Sequence, residues 1–397
     1  MIAYKKIFII LSLVIFPVFS AEGKILAQAR SSNPLSVEIN QSDPLIPKGY
    51  GKRSLTSFEQ YRLQKEIARL DQTAAEQLQQ NNLDEAFQKW YRYLKLSRVL
   101  SPKLEIKRLG KVGAIAWQSN RGQEVRNIAE RLSVLQLELS TENSLPVDFL
   151  KPFAQAYQQV RYIDKAIAIY QQSLDNSIKT NDLIAQHKYS EKLGSLHLSR
   201  FDYANGADIY QELLALAENN PKQEKQTVFY LNTLIKIYDR TGAASKAISF
   251  RKRLIKKYAN SQNLAKIPAL ELAIANNYKM LKQESQAIAS FQRTIDVASM
   301  TQQLAIASDA LTSLGKIYQT KMEQGQAVKT YQKLMQIQQQ SYNYYGLIDT
   351  YDTLGKIHLA SNYKSKARQN FQAALVLAMS LDYKVDYFAQ KIKQLDS

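Results

Sequence analysis

Along most of the chain, a small residue followed four positions later by an aromatic ring recurs at a fixed beat. Ala86 precedes Trp90, Ala166 precedes Tyr170 and Gly206 precedes Tyr210, while Ala287, Ala327 and Ala367 precede Phe291, Tyr331 and Phe371. Ala247 fills one gap with Phe250 behind it, and the remaining mark, position 126, holds Arg126. Successive marks stand 40 residues apart, with a single 41. A second series runs twelve residues ahead of the first: Ala74, Ala114, Ala154, Gly194, Ile235, Ala275, Gly315 and Gly355. Three positions after these stand Gln77, Trp117, Tyr157, His197, Tyr238, Tyr278, Tyr318 and His358. Residues three or four apart share one face of an α-helix. Each period therefore predicts two helices, each with a small residue beside a ring.

Small residues let two helix axes approach closely, and a ring fills the groove beside the contact. Polar turns fall between the predicted helices at Asn81-Asn82, Asn120-Arg121-Gly122, Thr241-Gly242, Gln324-Gly325 and Ser361-Asn362. One hairpin cannot bury its apolar face alone, so neighbours must stack into a continuous core. The flanks differ. Residues 30–55 carry Pro34, Pro44, Pro47, Gly49 and Gly51 without helical periodicity, and predict an extended or partly disordered lead-in. Thr56-Ser57-Phe58-Glu59 has the form of a capping box opening the first helix. Asp382 to Leu395 reads as an amphipathic helix with Tyr387, Phe388, Ile392 and Leu395 on its apolar side, closing the array. The expected organisation is thus a leader at 1–29, the lead-in at 30–55, repeats over 56–380 and a capping helix at 381–397.

Leu314-Gly315-Lys316-Ile317-Tyr318 with Ala327 to Tyr331, and Leu354-Gly355-Lys356-Ile357-His358 with Ala367 to Phe371, resemble the tetratricopeptide repeat family. The resemblance extends over about residues 57–380 and implies an all-α fold, a right-handed α-solenoid of about eight helical hairpins. It also implies a protein-binding function, with first helices lining a concave groove. Three features depart from the family pattern. The period is 40 where the usual unit has about 34 residues, the proline that commonly closes a unit is mostly absent, and Arg126 with Glu130 makes the second unit irregular.

Composition narrows the setting. Lys5 and Lys6 precede an apolar run from Ile7 to Phe19, the form of an export signal and too short to span a bilayer core. Cleavage points stand after Ser20 and after Ala29, the second with the better small-x-small pattern; the alternative is an uncleaved N-terminal anchor. Both place the body of the protein in an extracytoplasmic compartment such as a periplasm. There is no cysteine, so no disulfide, lipobox lipid or thiolate metal site. With 45% hydrophobic residues, the chain has enough apolar surface to hold itself without such staples. Its formal charge is +18. In an exported chain this favours acidic protein segments, anionic lipid or anionic wall polymer over nucleic acid.

No catalytic constellation stands out, and no cofactor or metal motif. Gly110-Lys111, Gly315-Lys316 and Gly355-Lys356 lack the other residues of a phosphate loop. His197 and His358 hold ring positions and read as core residues, and His187 has no histidine one turn away. Ser361 and Lys364 have a serine–lysine spacing but fall in a predicted turn. The remaining signal is a ladder beside the small residues of the first helices. One position after them come Lys236, Asn276, Lys316 and Lys356, with Asn232 and Lys279 on nearly the same side. The equivalents in the N-terminal half, Ala75, Ile115, Gln155 and Ser195, include no basic residue. Lysine and asparagine together suit the carboxylates and amides of an extended peptide. The likeness to carboxylate-clamp repeats is partial, because Leu272 stands where a second lysine would be. The expected function is a non-enzymatic protein-interaction scaffold, and the alternative is an accessory protein holding anionic lipid or wall polymer by charge.

Overall fold

The computed structural model describes residues 33–36, 43–46, 50–51, 53–141 and 144–396. The expected leader and both cleavage points lie outside the described residues. The described residues are all-α: seventeen α-helices, two short 3-10 turns and two isolated bridges, with no strand. They divide into two compact units, Met1–Phe201 and Asp202–Ser397. The first unit holds α1 (Ser57–Gln79), α2 (Leu83–Arg98), α3 (Pro102–Gln118), α4 (Gly122–Leu139), α5 (Val147–Gln159), α6 (Ile163–Lys179) and α7 (Leu183–Ser199). The second holds α8 (Tyr203–Glu218), α9 (Glu224–Arg240), α10 (Ala244–Asn260), α11 (Ile267–Met280), α12 (Glu284–Met300) and α13 (Leu304–Thr320). It continues with α14 (Gln324–Gln340), α15 (Tyr344–Ala360), α16 (Lys364–Leu381) and α17 (Val385–Asp396).

The 40-residue period is two half-periods of 20. From α12 to α15 each helix is 17 residues long, and three residues link it to the next. The middle linker residue is left-handed: Gln302 at φ 57°, Met322 at 58°, Tyr342 at 54° and Asn362 at 61°. This closes a Schellman motif, in which the Glu323 N–H donates to the Tyr318 carbonyl at 2.9 Å and the Met322 N–H to Gln319 at 3.0 Å. A left-handed conformation costs a non-glycine residue about 1–2 kcal/mol. The capping bonds and the packing of both flanking helices offset that cost. Because the hydrogen bonds rather than the residue type make the turn, Met322 and Tyr342 serve in it without being glycine. Two predicted turns move as a result: Gln324-Gly325 opens α14 and Gly122 opens α4, so only Asn120-Arg121 of that trio lies in the linker.

The small residue of one helix meets the ring of its partner. A methyl group on Gly315 would stand 2.7 Å from the Tyr331 ring, and one on Gly355 would stand 2.5 Å from the Phe371 ring. Both rings are buried, as are Ala327 and Ala367 one turn ahead of them. The hairpins α13–α14 and α15–α16 are therefore closed by a glycine on one side and an aromatic on the other.

In the second hairpin this register is off by one residue. α2 has 16 residues, one fewer than the standard helix, so α3 starts a residue early. Its buried face is Gly110, Gly113 and Ala116 in place of Ala114 and Trp117, and α4 buries Val125 and Ala129 in place of Arg126 and Glu130. Gly110 and Gly113 let α5 approach closely, since a methyl on Gly110 would lie 3.0 Å from the Ala156 backbone. Trp117, expected in the core, is turned outward and is 53% exposed. The longer connection after α4 restores the step.

Two described pieces of the lead-in, residues 33–36 and 43–46, lie against the second helices of the first two hairpins. Leu35 and Ile46 are buried. The Asn33 amide donates to the Asn127 carbonyl at 3.0 Å and to Glu130 at 2.9 Å, and Arg92 reaches Asp43 at 3.2 Å. The Arg98 guanidinium donates to the Leu35 carbonyl. Beneath it lies a buried ion cluster: Glu105 accepts from Arg98 at 3.0 Å and from Arg131 at 2.7 and 3.1 Å. Burial, with the Arg131 charge, lowers the Arg98 pKa, and Glu105 opposes this. At the start of α1 the Thr56 hydroxyl accepts from Glu59 N–H at 3.2 Å while the Glu59 carboxylate accepts from Thr56 N–H at 2.8 Å. At the other end, left-handed Asp382 and Lys384 delay the last helix until Val385. Phe388 of α17 is fully buried beside Ile348 and Phe371.

Gly355→Ala should destabilise the second unit by about 1–2 kcal/mol, the overpacking at Phe371 exceeding the gain in helix propensity. Gly325→Ala, which meets nothing within 4 Å, should be neutral or stabilising by up to about 1 kcal/mol. Urea titrations followed by circular dichroism check the contrast, and equal shifts would dismiss the glycine–ring junction. Glu105→Ala leaves two guanidiniums buried and should cost the first unit about 3–5 kcal/mol, read from the fluorescence of buried Trp90 during urea unfolding.

Candidate partner-binding surfaces

The ladder residues occupy different settings. Lys236 on α9 and Asn276 on α11 are exposed, and neither has a hydrogen bond or ion pair among the described residues. Lys279 and Lys316 are exposed on α11 and α13, adjacent first helices that touch, and they line a common cavity of about 370 Å³. Lys282, left-handed in the linker after α11, and Glu284 join them, so three cations share the cavity with one carboxylate. Asn232 is half-buried, and its amide donates to the Val228 carbonyl of its own helix at 2.8 Å. That bond takes one of the two N–H donors of its amide.

Lys356 is not an open rung. Its ammonium sits 2.6 Å from Asp352 and under the Tyr387 ring of α17 at 5.7 Å, and the Tyr387 hydroxyl donates to Asp352 at 3.0 Å. The Asp352 hydrogen bond raises the Lys356 pKa against a smaller effect of burial. With Lys384 on Asp349 at 2.8 Å, this end of the ladder holds the closing helix in place. The structure therefore brings Lys279 and Lys316 together and leaves Lys356 to an internal role.

A second surface, in the first unit, was not visible in the register of small residues. It is a cavity of about 740 Å³ between α3, α5 and α7. Lys103, Lys107, Arg161, Lys192 and the outward-turned Trp117 line it, with amides such as Gln155 and Gln159, and no carboxylate is among the lining residues. Lys103 pairs with Asp148 at 2.9 Å, and Arg161 lies over the Trp117 ring at 5.9 Å. Lys107 and Lys192 have no partner among the described residues. Of the positions that the period gave in this half, Gln155 lines the cavity but Ile115 and Ser195 do not, because the cations of α3 and α7 stand on other faces of those helices. The missing signal was the one-residue shortfall of α2, which counting helix lengths between turns would expose.

The histidines form no site. His187 stands 3.7 Å from Glu191 on its own helix. His358 is half-buried against Tyr363, and burial, aided by the Lys366 charge, lowers its pKa. Among the described residues, no three His, Asp or Glu side chains gather as metal ligands, and no helix is long and apolar enough to cross a membrane.

No protein-family model and no curated protein matches this chain. Solved structures similar to it include BtubC from P. vanneervenii, at 19% identity and TM-score 0.35, covering 55% of this chain and 92% of that one. A signal transduction ATPase with a tetratricopeptide repeat sensor, from Pyrococcus horikoshii, is 14% identical, covers 83% of this chain and 48% of that chain, and has TM-score 0.37. A kinesin light chain-like protein with TPR-like repeats from Podosopora anserina is 14% identical over 51% of this chain and 99% of that one, with TM-score 0.34. All three scores fall below 0.5, and the fold rests on the helices and turns described above.

Proposed function

We propose that this chain is a non-catalytic scaffold in an extracytoplasmic compartment, holding segments of partner proteins along the first helices of its C-terminal hairpins. The supporting observation is the set of exposed donors on successive first helices that the chain leaves without internal partners: Lys236, Asn276, Lys279 and Lys316, two of them around one cavity. An extended peptide carries carbonyls along its backbone and carboxylates on its side chains, both acceptors for such donors. The export reading rests on Lys5, Lys6 and the apolar run behind them. The formal charge of +18 supports a second reading, attachment to anionic lipid or wall polymer, whose mark is steep loss of binding with salt regardless of groove substitutions.

Lys236→Glu/Lys279→Glu/Lys316→Glu should lower recovery of the polypeptides crosslinked to the wild-type chain in its native envelope fraction by roughly tenfold, while Lys356→Glu should not. Equal recovery from wild type and triple variant at physiological ionic strength would end the ladder reading. Loss of all binding at high salt, with every variant alike, would favour the lipid or polymer reading. Mass spectrometry of the purified chain should find a mature N-terminus at Ala21 or Arg30 in the extracytoplasmic fraction; an intact Met1 in the cytoplasm would overturn the location.

A further inference from the structure

We infer that the cavity between α3, α5 and α7 is a second docking site, and that it takes an acidic, extended peptide segment with an apolar side chain seated near Trp117. It shares the view of the chain as a scaffold for protein segments but uses other residues in the other unit. Three observations carry it.

The first is charge. Lys103, Lys107, Arg161 and Lys192 line about 740 Å³ without a carboxylate among the lining residues, and among the described residues only Lys103 has an ionic partner, Asp148. All four side chains are exposed, and like charges gathered on one concave surface repel and add to a positive field there. A segment with several carboxylates relieves this and gains charge-assisted hydrogen bonds.

The second is the tryptophan. Trp90, the other tryptophan of the chain, is 1% exposed and bonds Asp71. Trp117 instead presents more than half of its surface, because the one-residue slip of α3 moved the core position onto Ala116. A half-exposed indole beside Pro152 and Leu104 offers an apolar seat inside a cationic rim. Exposed aromatics of this kind dominate the energetics of protein interfaces. With Arg161 already over its ring, the open part of the indole suits an aliphatic or aromatic side chain better than a stacked base.

The third is the amides. Gln118, Gln155, Gln158 and Gln159 carry both donors and acceptors into the same space. Carbonyls and N–H groups alternating along an extended backbone use both. A phosphate or sulfate polymer offers acceptors alone and gives no donor to the oxygens of Gln118, Gln155 and Gln159, whereas that of Gln158 already accepts from the Tyr170 hydroxyl at 3.4 Å. This favours peptide over anionic polymer.

The site carries its own reporter. The probe is a synthetic peptide of about twelve residues, long enough to cross the groove when extended, with alternating Glu and Ser and one central Leu. Titrated into the full chain, it should shift Trp117 emission to shorter wavelength as the indole leaves water. Trp117→Phe should abolish the optical change. Lys107→Glu/Lys192→Glu should weaken binding, measured by calorimetry, by more than about tenfold, and the charge-matched Lys65→Glu/Lys179→Glu by less than about twofold. Circular dichroism and the emission of buried Trp90 verify that each variant is folded. The proposal is overturned if the Gln-for-Glu peptide binds as well, if Lys107→Glu/Lys192→Glu binds unchanged, or if binding leaves Trp117 emission unmoved. It is also overturned if polyphosphate or anionic vesicles shift Trp117 while the peptide at about 1 mM does not. Failure here leaves partner capture through Lys236, Lys279 and Lys316 as it was, and failure of that capture leaves the Trp117 titration as it was.

Discussion

The structure depends on how closely two helices of one hairpin can approach. Where Gly315 faces Tyr331 and Gly355 faces Phe371, no side-chain carbon fits between backbone and ring. That contact sets the interaxial distance, and the distance sets which residues of each helix are buried. Interiors are packed at crystal-like density, so a small residue and a large one must occupy facing positions for the layer to fill. Once the junction exists, its repetition follows from chain length alone: 17 residues of helix and three of linker bring the next junction into place. The linkers add their own constraint, because the hydrogen bonds of the capping motif hold left-handed Met322 and Tyr342 as firmly as they hold Gly242.

Two local features depart from this regularity, one in each unit. Tyr387 of the closing helix α17 donates to Asp352 and Lys384, just ahead of that helix, pairs with Asp349, while Lys356 stays exposed but is paired with Asp352. In the first unit the shortened α2 rotates the next hairpin by one residue, and the core position that Trp117 would have held passes to Ala116. The same region holds a buried ion cluster, with Glu105 between Arg98 and Arg131 and the Leu35 carbonyl accepting from Arg98. Buried charges of this kind are costly to leave without a partner. Here they tie the lead-in to the helices whose register differs.

Much of the architecture was legible from residue types. The small–aromatic beat located both helices of each period, Thr56 and Glu59 marked the first cap, and Phe388 marked the buried side of the last helix. Legibility failed at single-residue resolution. Turns without glycine, at Met322 and Tyr342, leave no compositional trace, since backbone hydrogen bonds and not side chains define them. The docking of residues 33–36 and 43–46 was also hidden, because Leu35 and Ile46 have no periodic neighbours and become buried only against a distant pair of helices.

The candidate sites divide along the same line. Which residues bear donors and charge, and that they recur on first helices, is determined by the sequence, because helical periodicity is a local property of a few neighbouring residues. Whether a given lysine is open to a partner is decided by tertiary structure. Lys279 and Lys316 share a cavity, Lys356 is taken by Tyr387 and Asp352, and Lys103, Lys107, Arg161 and Lys192 converge from separate elements. Convergence of this kind depends on interhelical distance and rotation, which no local pattern encodes and which a one-residue change in helix length can redirect.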